Sequence, residues 1–104
     1  MKILIAEDDP VSGMILTKIL RKAGYQTVLA EDGVEALEVI QRESFDALLT
    51  DWMMPRMDGI ELTRKVRETV KPTPVVVFVT TMSSSGSREF ALTAGADEYL
   101  TKPY

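Results

Sequence analysis

A doubly wound α/β fold, built on one parallel five-stranded sheet, is what this sequence predicts. Three observations carry that expectation. Short apolar runs rich in β-branched residues alternate along the whole chain with longer stretches of helical period. Glycine and proline stand between these stretches, at Gly24, at Pro72 and Pro74, and at Gly95. Val75–Val79 is apolar at every position, the pattern of a strand covered on both faces. Alternation of this kind implies parallel strands with helices on both sides, and right-handed crossovers leave the doubly wound topology as the economical one.

The elements follow in order. Ile3–Ala6 reads as the first strand. Pro10–Ala23 reads as a helix, with Asp9 as N-cap, Pro10 in the first turn and Gly24 as the stop. Leu16, Ile19, Leu20 and Ala23 form its expected core stripe. Thr27–Ala30 is the second strand. Val34–Glu43 is a helix with Ala36, Leu37 and Ile40 on one side. Ala47–Thr50 is the third strand, and Asp51–Asp58 a loop carrying Pro55. Gly59–Val70 is a helix that brings Ile60, Leu62 and Val66 together. The stretch from Lys71 to Pro74 breaks it. Val75–Val79 is the fourth strand, Ser87–Ala94 a short helix ended by Gly95, and Glu98–Thr101 the fifth strand.

The 104 residues suit one domain, 1–104. A fifth helix would normally cover the sheet after the last strand, and it is absent from this chain. The apolar strand surface left open is expected to be covered by a helix beyond Tyr104, or by a dimer or exchanged element. Hydrophobic residues at 45%, charged residues at 27% and a net charge of -4 describe a globular chain rather than a disordered one. The sequence holds no cysteine and no histidine. Disulfides, thiolate chemistry, histidine metal sites, serine-type triads and histidine phosphorylation within this chain are therefore excluded. No apolar run approaches a membrane span. The apolar start stops at Glu7-Asp8-Asp9 without a cleavage pattern, so a cytoplasmic protein is expected. A pI near 4.8 argues against nucleic-acid binding by this domain.

The chemistry gathers at strand ends. Glu7 and Asp8 follow the first strand, Asp51 the third, Thr80 and Thr81 the fourth, and Lys102 the fifth. Open α/β sheets bind ligands at the carboxyl ends of their strands, where strand order reverses. With the common order 2-1-3-4-5, strands one and three are neighbours there, and Glu7, Asp8 and Asp51 converge. Three carboxylates so close repel one another. A hard divalent cation resolves the repulsion, and Mg2+ suits few protein ligands and several waters. Lys102 adds a mobile positive charge and Thr80 a hydroxyl. A phosphoryl group fits such a set, with Asp51 as the nucleophile forming an acyl phosphate.

The sequence resembles a response-regulator receiver domain of two-component phosphorelay signalling. The resemblance rests on Lys2-Ile-Leu-Ile-Ala-Glu7-Asp8-Asp9, on Asp51-Trp-Met-Met-Pro55-Arg-Met57-Asp58-Gly59, on Thr80-Thr81, and on Ala94-Gly-Ala-Asp97-Glu-Tyr99-Leu-Thr-Lys102-Pro103. It covers residues 2–103 and implies the flavodoxin-like strand order. It implies that Asp51 accepts a phosphoryl group from the phosphohistidine of a sensor histidine kinase or phosphotransfer protein. Glu7, Asp8 and Asp51 hold Mg2+, Asp8 directly and Glu7 through water, with the backbone carbonyl of Met53 completing the site. The distance from Asp8 to Gly24 matches the family, which selects Glu7-Asp8 over Asp8-Asp9 as the acid pair. Lys102 contacts the phosphoryl oxygens. Thr80 moves toward them on activation and Tyr99 swings inward, altering the surface read by an output domain or downstream protein. The Lys102–Pro103 bond is expected to be cis. Such a domain is a switch with self-catalysed phosphotransfer and dephosphorylation, not an enzyme of metabolism.

Further expectations attach to single residues. Val11, Met14 and Ile15 extend the apolar surface of the first helix toward the acids and suit a docking helix of the kinase. Local packing is the commoner role of such residues. Met53 and Met82 flank the site, where they either fill gaps or hinder the hydrolytic water and slow dephosphorylation. Residues 83–87 form a weakly specified loop suited to a two-state switch. Asp58-Gly59 reads as turn chemistry. Thr81 stands where the family usually has Ala, Gly or Ser. A pseudo-receiver, a binding module that is not phosphorylated, is the alternative reading. An Asp-nucleophile phosphatase would want an acid at position 53, which is Met53. A flavin binder would want a hydroxyl- and glycine-rich loop in place of Glu7-Asp8-Asp9-Pro10.

Overall fold

The computed structural model describes residues 1–102, and the Lys102–Pro103 bond lies outside them. Five strands and four helices alternate: β1 Lys2–Ala6, α1 Pro10–Lys22, β2 Gln26–Ala30, α2 Gly33–Arg42, β3 Ala47–Thr50, α3 Gly59–Thr69, β4 Val75–Thr80, α4 Ser87–Ala94 and β5 Glu98–Thr101. All strand pairs are parallel, in the order β2-β1-β3-β4-β5. The expected class and order are those observed, with bounds shifted by single residues at several ends.

Aspartates start three of the helices. Asp9, Asp32 and Asp58 each cap a helix and accept the amide three residues on, from Ser12, Glu35 and Glu61 at 3.3, 2.8 and 2.9 Å. Asp58-Gly59, read as turn chemistry, forms the N-cap and first residue of α3, which starts at Gly59 as expected. The fourth helix lacks such a cap: Gly86 stands before it in the left-handed region, and no side chain bonds its first amides. That makes α4 the helix least fixed by its own sequence.

The two faces of the sheet are covered unequally. Leu4, Ala6, Leu48, Val76, Phe78 and Tyr99 point to the face where α2, α3 and α4 supply Ile40, Ile60, Leu62, Val66 and Ala91. On the other face α1 lies over β1 and β2 and closes a smaller core of Ile3, Ile5, Leu16, Ala47 and Val79. Among the described residues, no helix lies above β4 and β5 on that side. Hence Val77 is only partly buried, and Val75 and Leu100 are exposed. The expectation that Val75–Val79 is covered on both faces holds only for its C-terminal half. Ile19 and Ala23, expected in the core stripe of α1, are exposed as well. α1 presents Leu16 and Leu20 to the sheet, and Ile19 and Ala23 are turned away from it.

Register brings the strand ends to one edge. Ala6 pairs with Thr50, and Thr80 with Thr101. The chain continues the ladder one residue further: Asp51 N–H donates to Ala6 O at 3.0 Å, and Lys102 N–H to Thr80 O at 2.8 Å. Glu7 and Asp51 therefore leave neighbouring strands side by side.

Candidate functional site

Glu7, Asp8 and Asp51 each place one carboxylate oxygen within 4.8 Å of the others. They differ in depth. Glu7 is buried, Asp51 partly so, and Asp8 faces solvent. Burial pushes the Glu7 carboxyl above its ordinary pKa, and the nearby charge of Asp51 adds to this. The Lys102 ammonium and the Asp9 amide work in the opposite direction. Lys102 reaches into the cluster from β5. Its Nζ donates to Glu7 Oε1 and, at 3.0 Å, to Asp51 Oδ2. Burial alone would lower the Lys102 pKa, but the bonds to Glu7 and Asp51 outweigh it and raise it.

One ammonium against three carboxylates leaves the cluster with excess negative charge. Asp8 has no ion-pair partner among the described residues. A small hard cation is the group this donor set fits: three carboxylate oxygens at one edge, one of them open to water. The side chain of Met53 is exposed, just beyond Asp51 in the same loop.

Thr80 is fully buried at the end of β4. Its Oγ1 accepts the amide of Met82 at 3.3 Å, and the carbonyl of Met82 accepts the hydroxyl of Tyr99. Thr80 and Tyr99 are thus joined through the backbone of one residue. Tyr99 is already turned inward here, 7% exposed, stacked on Phe78 with centroids 6.0 Å apart. Burial raises the Tyr99 pKa, so the hydroxyl stays a donor.

Val11, Met14 and Ile15 are exposed on α1, at 58%, 50% and 42%. Asp9 caps the helix that carries them and donates its own amide to Glu7 Oε2 at 3.2 Å, so the patch begins beside the acids.

Two features were not read from the sequence. The backbone amide of Trp52 donates to Asp51 Oδ1 at 2.6 Å and fixes that carboxylate from the side opposite Lys102. The Trp52 indole then lies 5.8 Å from Phe78, 5.8 Å from Phe90 and 6.3 Å from Tyr99, centroid to centroid. These four rings come from a loop, β4, α4 and β5, so no spacing rule within one element could have joined them.

Comparison with known proteins agrees with this geometry. A family model described as the response regulator receiver domain matches residues 3–104. The response regulator MprA of Mycobacterium leprae is 45% identical over 104 residues, which is all of this chain and 45% of that protein. The chain thus spans less than half the length of this curated relative. Among solved structures, the BeF3-activated N-terminal receiver domain of RstA from Klebsiella pneumoniae matches 100% of this chain and 87% of its own, with 34% identity and a TM-score of 0.92. The receiver domain of the sensor histidine kinase PA1611 from Pseudomonas aeruginosa carries a magnesium ion coordinated in its active site cleft. It matches 99% of this chain and 85% of its own, with 35% identity and a TM-score of 0.88.

Proposed function

The chain belongs to the response regulator receiver domain family, and on that premise we propose that Asp51 is its phosphoryl acceptor, charged from the phosphohistidine of a kinase or phosphotransfer partner. A receiver domain is a phosphorylation-activated signalling switch. It promotes its own phosphotransfer and is not an independent enzyme. The observation that carries the assignment is the convergence of Glu7, Asp8 and Asp51 under the single ammonium of Lys102.

The transfer balances simply. A carboxylate oxygen of Asp51 attacks phosphorus, the bond from phosphorus to the partner's imidazole nitrogen breaks, and the imidazole leaves with its electron pair and takes up a proton. Asp51 needs no base, because it attacks as a carboxylate. The Trp52 amide orients it through Oδ1. Lys102, which shares Oδ2 with no other cation among the described residues, shifts to the new phosphoryl oxygens. The oxygens of Glu7, Asp8 and Asp51, with the carbonyl of Met53, would hold Mg2+. When bound, Mg2+ neutralises the charge crowded onto the acceptor and the phosphoryl group. Thr80 is the group that responds: its hydroxyl exchanges the Met82 amide for a phosphoryl oxygen. That exchange perturbs the Met82 carbonyl held by Tyr99, and so the segment leading to α4.

The partner surface is proposed on the first turns of α1. Val11, Met14 and Ile15 are exposed beside the acids and suit the apolar face of a histidine-bearing helix. A Met14→Glu variant that takes phosphate normally from acetyl phosphate but slowly from its kinase supports this surface. Equal rates from both donors refute it. The exposed apolar side of β4 and β5, with Val75 and Leu100, is proposed to be covered by a further helix. No helix among the described residues is long and apolar enough to cross a membrane, and a cytoplasmic switch acting on an output domain is the proposed setting.

Trp52 provides the direct test. Its fluorescence is expected to change saturably with Mg2+ and again with beryllofluoride. The second change is expected to vanish in Asp51→Asn. A Mg2+ response followed by no second change would favour a pseudo-receiver instead.

A further inference from the structure

The segment between β3 and α3, residues 51–58, carries the acceptor and Met53, and it has no regular structure. Its internal bonds are few: Trp52 N–H donates to Asp51 Oδ1 at 2.6 Å, Met57 N–H donates to Pro55 O at 2.8 Å, and Gly59 N–H closes back on Trp52 O at 2.7 Å. What holds its middle comes from another part of the chain. Arg56 reaches the start of α2 and grips Asp32 with two parallel bonds, Nε to Oδ2 at 2.8 Å and Nη2 to Oδ1 at 3.2 Å. The next residue packs against the same helix end. A Cβ on Gly33 would stand 2.2 Å from the Met57 carbonyl oxygen, so backbone meets backbone there without room for a side chain.

Two details separate this contact from an ordinary surface ion pair, which contributes little. Arg56 has φ 68°, and it is the one positive-φ residue other than glycine among the described residues. A side chain in that region is strained, so something must over-determine it. Its partner is not a free surface acid either. Asp32 is buried, and its Oδ1 also caps α2 by accepting the Glu35 amide at 2.8 Å. Arg56 therefore ties the acceptor loop to a carboxylate that the helix start has already fixed in place.

We propose that Arg56 is a positioning residue for phosphoryl transfer: with Asp32 it locks the backbone of residues 51–58 in the conformation that presents Asp51 and the Met53 carbonyl to the metal. The proposal rests on the reading of Asp51 as acceptor and of the acid cluster as a Mg2+ site. It does not require Arg56 to touch metal or phosphate, and Arg56 acts only through the loop.

The test compares Arg56→Ala, Arg56→Gly, Asp32→Asn and the double variant Arg56→Ala/Asp32→Asn. Asparagine still caps α2, so Asp32→Asn removes the ion pair without uncapping the helix. Glycine accepts the positive φ without strain, so Arg56→Gly separates the anchor from the backbone conformation. The first readout is amide hydrogen exchange of residues 52–57 in metal-free protein. Each variant is expected to exchange at least tenfold faster than wild type there, with the double variant no faster than the singles. The second readout is the Mg2+ titration followed by Trp52, where each variant is expected to need at least threefold more Mg2+. With acetyl phosphate at saturating Mg2+, the maximal rate is expected to recover toward wild type. Exchange and Mg2+ midpoints within twofold of wild type, with only the unfolding midpoint lowered, would make the pair a stability device and overturn the proposal. An Arg56→Gly protein equal to wild type would overturn it too. A wild-type protein that does not respond to Mg2+ would defeat the reading of the site, whereas the metal-free exchange would still decide the lock.

Discussion

Lys102 Nζ stands 3.0 Å from Asp51 Oδ2, although 51 residues of chain separate them. The same ammonium is bonded to Glu7, which is 2% exposed. In the absence of metal, Lys102 is the counter-charge for two carboxylates that the sheet forces together. Lys102→Ala therefore leaves both unpaired. It is expected to cost about 3 kcal/mol of folding stability without metal, the low end for breaking a buried pair. Millimolar Mg2+ is expected to restore part of that loss, because it supplies the missing charge. Urea unfolding with and without Mg2+ measures both quantities. A variant as stable as wild type in metal-free buffer would contradict the assignment.

Gly59 sets how closely α3 approaches the acceptor. A Cβ there would lie 2.2 Å from the Asp51 carbonyl oxygen and 3.2 Å from the Phe78 ring. Neither neighbour can yield cheaply, since one is backbone and the other is fully buried. Gly59→Ala is expected to lose about 3 kcal/mol of stability, the upper range for overpacking. Phosphorylation by acetyl phosphate is expected to fall with it, because the clash displaces Asp51 itself. Denaturant unfolding and a phosphorylation time course check the two effects separately.

Asp97 gives the fold an acid-sensitive joint. Its Oδ2 accepts the Val76 amide at 2.8 Å and Arg67 Nη2 at 2.7 Å. The Val76 bond, helped by Arg67, holds its pKa below the usual carboxylate value. A group lowered in this way stabilises the fold above its unfolded pKa of about 4. That contribution is lost as pH falls through the lower folded value. The stability gap between wild type and Asp97→Asn is therefore expected to be widest above pH 5 and to narrow steadily on acidification toward pH 3. A gap independent of pH over that range would contradict the assignment.

Met53 is 64% exposed beside the acceptor, and its side chain is apolar. Replacing it with Asn puts a hydrogen-bonding group where the hydrolytic water must approach. Met53→Asn is expected to shorten the lifetime of the phosphorylated state several-fold without altering stability. The decay of the phosphorylated protein after removal of the donor gives the lifetime, and an unchanged value would exclude the idea.

Most of the fold was legible because its signals are local. Asp9-Pro10 marks a helix start, Val75–Val79 a strand, and Gly24 and Gly95 two stops, each within a few residues. The acid cluster was legible because strand order converts sequence ends into neighbours. What escaped depends on contacts between elements. The exposure of Ile19, Val75 and Leu100 follows from which helix covers which strands, and hydropathy does not contain that. The Asp32–Arg56 grip joins two loops 24 residues apart, and each residue alone reads as surface charge. The aromatic group around Trp52 draws on four elements. The inward setting of Tyr99 rests on the Phe78 ring and the Met82 carbonyl, both supplied from outside its own strand.

The central claim is that Asp51 accepts the phosphoryl group, and intact-mass analysis tests it most directly. The folded protein is incubated with acetyl phosphate and Mg2+, then reduced with borohydride, which converts an aspartyl phosphate to homoserine, and the modified residue is located by peptide sequencing. The account predicts one phosphoryl group per chain, homoserine at position 51, and no mass change without Mg2+ or in Asp51→Asn. Modification of another residue, or none in a folded protein whose Trp52 responds to Mg2+, would contradict it.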